Sequence, residues 1–259
     1  MVDELLALAT RLAADAGALL LEGLTRSRIT VATKSSPTDV VTAFDRSSER
    51  LITDGLRLAR PGDAILGEEG TDETGTTGVR WLVDPLDGTV NFLYGLPVFA
   101  VSIAAEVDGT VEVGVVAVPA HAETFTAVRG RGAWLDGARL RCTEATELTE
   151  ALVGTGFSYR PERRVVQARM LATVLPAVRD IRRAGAAAVD LCWVGAGRLD
   201  AFYEHGLQPW DLAAGALVAA EAGAVVGDLD GGRPSSQLTI AAAPGIATAF
   251  CDLLRRAGS

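Results

Sequence analysis

The segment from residue 81 to residue 92 reads Trp-Leu-Val-Asp-Pro-Leu-Asp-Gly-Thr-Val-Asn-Phe. Its apolar run predicts a strand that ends at Asp84, because the residue before a proline favours an extended backbone. Pro85 then begins a turn that brings Asp87 to the same side. Gly88 allows a close backbone approach, and a helix beginning here would direct the amide groups of Gly88 and Thr89 at an anion. The segment therefore predicts two carboxylates beside a phosphate-binding turn.

Two other acidic positions have a similar setting. Glu68 and Glu69 follow a short apolar strand and are flanked by glycines, and Asp211 precedes a strongly apolar helical run. Each pattern alone also has an ordinary interpretation as a solvated surface pair or as an acid that offsets a helix dipole. Taken together, the carboxylates suit a hard divalent cation such as Mg²⁺, which prefers oxygen ligands.

The length, composition and net charge of the chain argue against several classes of protein. With 259 residues, of which 49% are hydrophobic, the chain can fill a substantial core. A net charge of −9 argues against a nucleic-acid partner, since phosphate-backbone binding needs clustered Lys and Arg. The three cysteines form no C-x-x-C pair and fit a reducing compartment. An acidic N-terminus and the lack of a long apolar run predict a cytoplasmic protein with no membrane partner.

The first half of the chain combines helices with an antiparallel sheet. Apolar residues at three- and four-residue intervals predict helices over residues 3–24 and 45–59. Short strands are predicted at 28–33, 64–67 and 80–83. Two longer β-rich runs, 98–107 and 110–118, are separated by Asp108-Gly109, a strong signal for a tight hairpin.

After about residue 147 the pattern changes to short strands alternating with helices, which is typical of α/β layering. The strands are predicted at 151–155 and 224–227, and the helices at 162–175, 186–196, 211–222 and 246–256. We therefore predict an N-terminal α+β half, residues 1–146, with most metal ligands. A C-terminal α/β half, residues 147–259, would complete the active site in one compact unit.

Other hydrolytic and cofactor chemistries find little support. The chain has only two histidines, His121 and His205, and it lacks G-x-S-x-G and the P-loop pattern. A serine hydrolase, a P-loop nucleotide site and a zinc site are therefore disfavoured. Asp228-Leu229-Asp230 resembles the start of an aspartyl-phosphate motif, but glycines follow where that class expects Thr or Val, so the segment is interpreted as a loop.

Three segments together resemble the inositol monophosphatase family: Gly67-Glu68-Glu69, residues 81–92, and the Trp-Asp-Leu-Ala-Ala-Gly stretch at 210–215. Residues 34–45 also look like the N-terminal segment of that family, and the resemblance extends from about residue 5 to residue 255. It implies an α/β (α+β) fold layered as an αβαβα sandwich and a homodimer. It also implies two or three Mg²⁺ ions and a small phosphate monoester as substrate.

The resemblance also implies roles for individual residues. The metal ligands would be Glu68, Asp84, Leu86 through its carbonyl, Asp87 and Asp211. Thr89 and Glu68 would activate the attacking water, and Asp45 would orient Thr89. The substrate-binding residues would be Asp87, Gly88, Thr89, Gly185, Ala187, Glu204 and Asp211. Lys34 matches a lysine beside the weakest metal position.

The implied reaction is Mg²⁺-dependent hydrolysis of inositol-1-phosphate to inositol and phosphate by direct attack of metal-activated water. It agrees with a mechanism in which two or more metals about 4 Å apart activate water and clamp the phosphate. Residues 89–92 and 203–206 look like the inositol group, while histidinol-phosphate phosphatase or another sugar-phosphate phosphatase remains an alternative. A metal-binding regulatory protein without physiological turnover is an alternative of a different class.

Overall fold

The structure is a computed structural model that describes residues 1–24, 31–33 and 40–258. Lys34 and the first half of the strand predicted at 28–33 lie outside the described residues. Within the described part of the chain the α-helices are α1 (Val2–Leu24), α2 (Ala43–Ala59), α3 (Thr89–Leu93), α4 (Pro161–Val174), α5 (Ala187–Gly195), α6 (Pro209–Glu221) and α7 (Ala247–Ala257). The predicted helices at 3–24, 45–59, 162–175, 186–196, 211–222 and 246–256 are confirmed to within about two residues at either end.

The strands fall into two larger sheets and one small pair. Those before residue 140 are β1 (Val31–Thr33), β2 (Val40–Thr42), β3 (Ala64–Gly67), β4 (Asp72–Glu73), β5 (Val79–Asp87), β6 (Ala100–Val107), β7 (Thr110–Val118), β8 (Glu123–Val128), β9 (Gly132–Leu135) and β10 (Ala138–Arg139). Those after it are β11 (Leu152–Thr155), β12 (Asp180–Arg182), β13 (Ala201–Glu204), β14 (Val225–Gly227) and β15 (Thr239–Ala242).

The first sheet has eight strands in the order β10-β9-β8-β7-β6-β5-β3-β4. All its neighbours pair antiparallel except β3 and β5, which run parallel. The predicted hairpin is confirmed, since β6 and β7 are joined at Asp108 and Gly109, whose φ angles are 50° and 78°. Two successive positive φ angles match the twist of a tight hairpin.

The second sheet has five strands in the order β12-β11-β13-β15-β14. Strand β11 pairs parallel with β12 and β13, whereas β15 runs antiparallel to both of its neighbours. The carboxyl ends of β11 and β13 therefore meet at one edge of the sheet.

The elements stack in five layers, and the predicted αβαβα sandwich is confirmed. Helices α1 and α2 cover one face of the first sheet, where Leu12 and Ile52 share a buried cluster with Trp81. Helices α5 and α6 lie between the two sheets, and α4 and α7 cover the outer face of the second. Each large apolar side chain buried in these clusters contributes about 1.5–3 kcal/mol.

Strand β5 corrects one prediction. The strand does not end at Asp84, because pairing with β6 resumes at Asp87 after a register shift between these two residues. Pro85 has no amide to donate to the ladder, so the strand bulges around it and continues. The carbonyl of Pro85 instead accepts a 2.8 Å hydrogen bond from the Ser48 hydroxyl on α2.

Helices α5 and α6 follow residue 146 and yet pack against both sheets. The division of the chain at that residue stays a prediction. No helix in the described part of the chain is both long enough and apolar enough to cross a lipid bilayer.

Candidate metal centre and active site

Three carboxylates converge between the first sheet and the first turn of helix α6. One oxygen from each of Glu68, Asp84 and Asp211 lies within 4.8 Å of the other two. Glu68 and Asp84 are neighbours because β3 and β5 run parallel with Gly67 opposite Val83. Asp211 reaches the same point from the first turn of α6, while its Oδ2 accepts a 2.7 Å hydrogen bond from the Gln208 amide. Asp211 is therefore both a helix-capping acid and a member of the cluster.

The cluster concentrates negative charge around one buried aspartate. Asp84 is only 1% exposed, and its burial, followed by the charge of Glu68, raises its pKa well above the ordinary value. Burial and the charge of Glu68 also raise the pKa of Asp211. Buried carboxylates this close together are stable as ions when a cation lies between them. An all-oxygen set of this kind fits a hard divalent cation.

Asp87 and Leu86 lie beside the group of three rather than within it. Asp87 Oδ2 accepts a 2.7 Å hydrogen bond from the amide of Ala188 in the first turn of α5, and burial raises its pKa to about 7. The carbonyl of Leu86 accepts a hydrogen bond from the Thr89 hydroxyl at 3.1 Å. The assignment of both residues as metal ligands stays a prediction.

A chain of hydrogen bonds holds Thr89. Its hydroxyl donates to Asp45 Oδ1 at 2.8 Å, and Thr89 is only 8% exposed. The other oxygen of Asp45 accepts from the amide and the hydroxyl of Thr42 at 2.8 and 2.5 Å, which fixes the carboxylate at the start of α2. Because both of its oxygens are engaged, Asp45 holds Thr89 in one rotamer.

Glu49 supports the turn that carries Glu68. From α2, its carboxylate accepts hydrogen bonds from the amide of Glu69 at 2.7 Å and from the hydroxyl of Thr71 at 2.6 Å. Glu49 is 5% exposed, so these charge-assisted bonds form away from bulk water. They hold the turn after β3 and, with it, the position of Glu68.

Glycines allow two close approaches at the site. Gly88 precedes α3 with a φ of 90°, a conformation that other residues rarely adopt, and a Cβ there would lie 3.0 Å from the Val98 carbonyl. Gly156 follows β11, and a Cβ there would collide with the carboxylate of Glu204. Glu204 stands at the end of β13, where burial, opposed by the charge of Arg183, raises its pKa to about 8.

Nearly every predicted site residue lines one cavity of about 180 Å³. Its lining includes Glu68, Asp84, Leu86, Asp87, Gly88, Thr89, Gly185, Ala187, Glu204 and Asp211. Asp45 does not line the cavity, and its Oδ1 accepts the hydrogen bond from the Thr89 hydroxyl, which does. Pockets for drug-sized ligands measure roughly 300–1,000 Å³, so this cavity suits a small polar molecule.

The predicted site residues leave out the remaining wall of the cavity, although the segment 203–206 had entered the resemblance. The additional lining residues are Gly156, Phe157, Ser158, Tyr159, Arg163, Arg183, His205, Gly206 and Leu207. Residues 156–159 follow the carboxyl end of β11, so the rule that ligands bind at such strand ends could have indicated them. No comparable signal distinguishes Arg163 from the other arginines of α4.

Comparisons with known proteins agree with this geometry. Residues 1–258 match the model described as "Inositol monophosphatase family". The chain is 52% identical over 236 residues to the Inositol-1-monophosphatase SuhB of Mycobacterium tuberculosis (strain H37Rv), covering 87% of this chain and 81% of that protein. It is 44% identical to the Nus factor SuhB of Pseudomonas aeruginosa, covering 89% and 87%. The solved structure of extragenic suppressor protein suhB from Bartonella henselae superposes with a TM-score of 0.93 at 37% identity, covering 98% and 99%.

Proposed function

The chain belongs to the inositol monophosphatase family, and from this premise we propose that it is a Mg²⁺-dependent phosphomonoester hydrolase that acts on inositol-1-phosphate. The observation that carries the proposal is the convergence of Glu68, Asp84 and Asp211 beside the Thr89 hydroxyl in one small cavity. A homodimer and a cytoplasmic location belong to the same proposal.

Glu68, Asp84 and Asp211 would hold the cation, with Asp87 and the Leu86 carbonyl as further ligands. Two or three bound Mg²⁺ ions would lower the pKa of water and offset the charge that develops on the phosphate. At Asp84 and Asp211 the protein's own contribution is to leave the negative charge for the cation. Within the described residues, no Arg or Lys nitrogen forms an ion pair with Asp84 or Asp211.

Thr89 and Glu68 orient the attacking water. A hydroxyl has one proton and two lone pairs, and Thr89 directs its proton to Asp45 and Leu86. Its lone pairs are therefore available to accept a hydrogen bond from water. Glu68 lines the same cavity and can take the second proton of that water as phosphorus is attacked.

The opposite wall would hold the alcohol that leaves. Glu204 can accept hydrogen bonds from the hydroxyl groups of a polyol, and Gly185 and Ala187 border the same space. Histidinol phosphate and other small sugar phosphates fit the same arrangement, so they are the alternative substrates.

A second candidate function is regulatory. A relative that is 44% identical over 89% of this chain is named Nus factor SuhB. The chain could accordingly act through a macromolecular partner without physiological turnover. The fully formed Thr89–Asp45 hydrogen bond favours turnover, because a purely regulatory surface does not require it.

The direct test measures phosphate release from inositol-1-phosphate, histidinol phosphate, fructose-1,6-bisphosphate and adenosine 3′,5′-bisphosphate, with Mg²⁺ and with EDTA. We expect Mg²⁺-dependent release that is fastest with inositol-1-phosphate. Another rank order would select a different substrate. No release from any of the four compounds would favour the regulatory candidate.

Glu204→Ala is expected to weaken polyol recognition while sparing the phosphate chemistry. Loss of a hydrogen bond to a substrate hydroxyl costs roughly 1–3 kcal/mol, so kcat/KM for inositol-1-phosphate should fall about ten- to a hundredfold. A small aryl phosphate, which has no such hydroxyl, should be hydrolysed nearly as well by the variant as by the parent. Equal losses on both substrates would mean that Glu204 supports the site as a whole.

A further inference from the structure

Two arginines lie at the mouth of a cavity that is otherwise rich in carboxylates. Arg163 on α4 and Arg183 after β12 both line it, and both side chains are largely exposed. The proposed hydrolysis, as argued above from the acids, Thr89 and Glu204, uses neither of them. Cations on this wall face the side where the leaving alcohol would lie.

Arg183 differs from its neighbour. Arg182 is paired with Asp180 at 2.5 Å, whereas no carboxylate among the described residues lies within 4 Å of Arg183. A Cβ on Gly185 would collide with Nη1 of Arg183, so this side chain crosses the backbone that borders the cavity. Its charge also lowers the pKa of Glu204 and of Asp87, which means that the guanidinium lies near both.

Arg163 also differs from the neighbouring arginines, which have hydrogen-bonding partners. Arg160 is paired with Glu162 at 2.7 Å, and Arg164 donates to the Ser158 carbonyl at 2.5 Å. Arg163 has no such partner among the described residues, and its Nη1 lies 3.4 Å from where a Cβ on Gly206 would stand. Gly206 is two residues beyond Glu204, so both guanidinium groups flank the segment that would bind the alcohol.

We infer that Arg163 and Arg183 form a second anion-binding subsite, which raises kcat/KM for a phosphomonoester whose leaving group ends in a carboxylate or a second phosphate relative to the neutral compound of the same length. The planar guanidinium group matches such anions with paired hydrogen bonds. The acids of the site would hold the reacting phosphate, and the arginines would hold the far end. This inference rests on the proposed hydrolase activity and extends the range of substrates that the same site accepts.

The test compares two substrates that differ at one end. Glucitol-6-phosphate and 6-phosphogluconate have the same length and the same position of phosphate, and only the latter ends in a carboxylate. The parent should hydrolyse 6-phosphogluconate with a kcat/KM about tenfold higher at low salt, and added salt should reduce that preference. Arg163→Gln and Arg183→Gln should each reduce the ratio of the two kcat/KM values about tenfold.

Matched controls are available beside each arginine. Arg182→Gln, next to Arg183, and Arg169→Gln, on the same helix as Arg163, remove the same charge outside the cavity lining and should leave the ratio as it is in the parent. A ratio that neither cavity variant changes, or that the controls change equally, would overturn the inference. Mg²⁺-dependent hydrolysis of glucitol-6-phosphate by the parent tests the hydrolase activity separately. If neither compound is hydrolysed, calorimetry with Mg²⁺ present can measure the Kd of both compounds for the parent and the variants. The ratio of the two Kd values then replaces the ratio of the two kcat/KM values.

Discussion

Asp84→Asn is expected to lower kcat/KM about a thousandfold while leaving the fold intact. A metal ligand supplies several kcal/mol of transition-state stabilisation, and each 1.36 kcal/mol corresponds to a tenfold change in rate. Asparagine keeps the shape of the side chain, and its oxygen can still accept the 3.0 Å hydrogen bond from the Leu86 amide. The measurement is phosphate release at saturating Mg²⁺, with circular dichroism to verify the fold.

When the metal is removed, Asp84→Asn should stabilise the folded protein, although it lowers activity. Burial and neighbouring negative charge raise the pKa of Asp84 in the folded state, so the folded protein binds this proton more tightly than the unfolded chain does. The parent therefore loses stability as pH rises above the ordinary aspartate pKa toward the raised value. Asparagine does not titrate. In EDTA the variant should have the higher Tm, and its advantage should be larger at neutral pH than at about pH 4, the ordinary aspartate pKa.

A surface substitution separates this effect from a general change of charge. Asp15 is 54% exposed on α1, and Asp15→Asn should change neither activity nor the pH dependence of Tm. Mg²⁺ should raise the Tm of the parent and of Asp15→Asn more than that of Asp84→Asn. Full activity of Asp84→Asn, or of the parent in EDTA, would contradict the metal centre.

Thr89→Ala is expected to reduce kcat at least a hundredfold with little change in KM. Positioned acid–base groups contribute roughly 10²–10⁴-fold to rate, and the hydroxyl that Asp45 orients at 2.8 Å is the one that the proposed mechanism places against the attacking water. Alanine removes the hydroxyl without adding volume. Single-turnover phosphate release at saturating inositol-1-phosphate and Mg²⁺ measures the effect.

Thr89→Ser is the matched control for the hydroxyl. Serine can repeat the hydrogen bonds to Asp45 and Leu86, so its kcat should stay within about tenfold of the parent. An alanine variant as fast as the serine variant would remove Thr89 from the reaction. A loss shared equally by both variants would point to the methyl group, and so to packing, as the important feature.

Local patterns in the sequence were sufficient to predict six of the α-helices, several strands and the acidic candidates for the metal site. The three- and four-residue spacing of apolar residues predicted α1, and Asp108-Gly109 predicted the hairpin between β6 and β7. The acids after β3, on β5 and at the start of α6 were identified from their places at element ends. These features depend on neighbouring residues alone, through backbone sterics and side-chain periodicity.

The grouping of the site depended on contacts between distant parts of the chain. The parallel register of β3 and β5 brings Glu68 beside Asp84, and the position of α6 between the sheets adds Asp211. The amide of Ala188 holds Asp87 beside the other three acids, and no local pattern predicted that bond, 101 residues apart in sequence.

The remaining wall of the cavity was also set by packing. Gly156 fits against Glu204, and Arg183 crosses the backbone at Gly185. Arg182 and Arg183 are adjacent in sequence, yet Arg182 pairs with Asp180 whereas Arg183 lines the cavity, because strand pairing and helix packing determine where each side chain can extend. Spacing along the chain predicts which residues share a turn or a strand end. The distance between two such groups is set by the packing of the layers, which is driven by the burial of apolar side chains from distant parts of the chain.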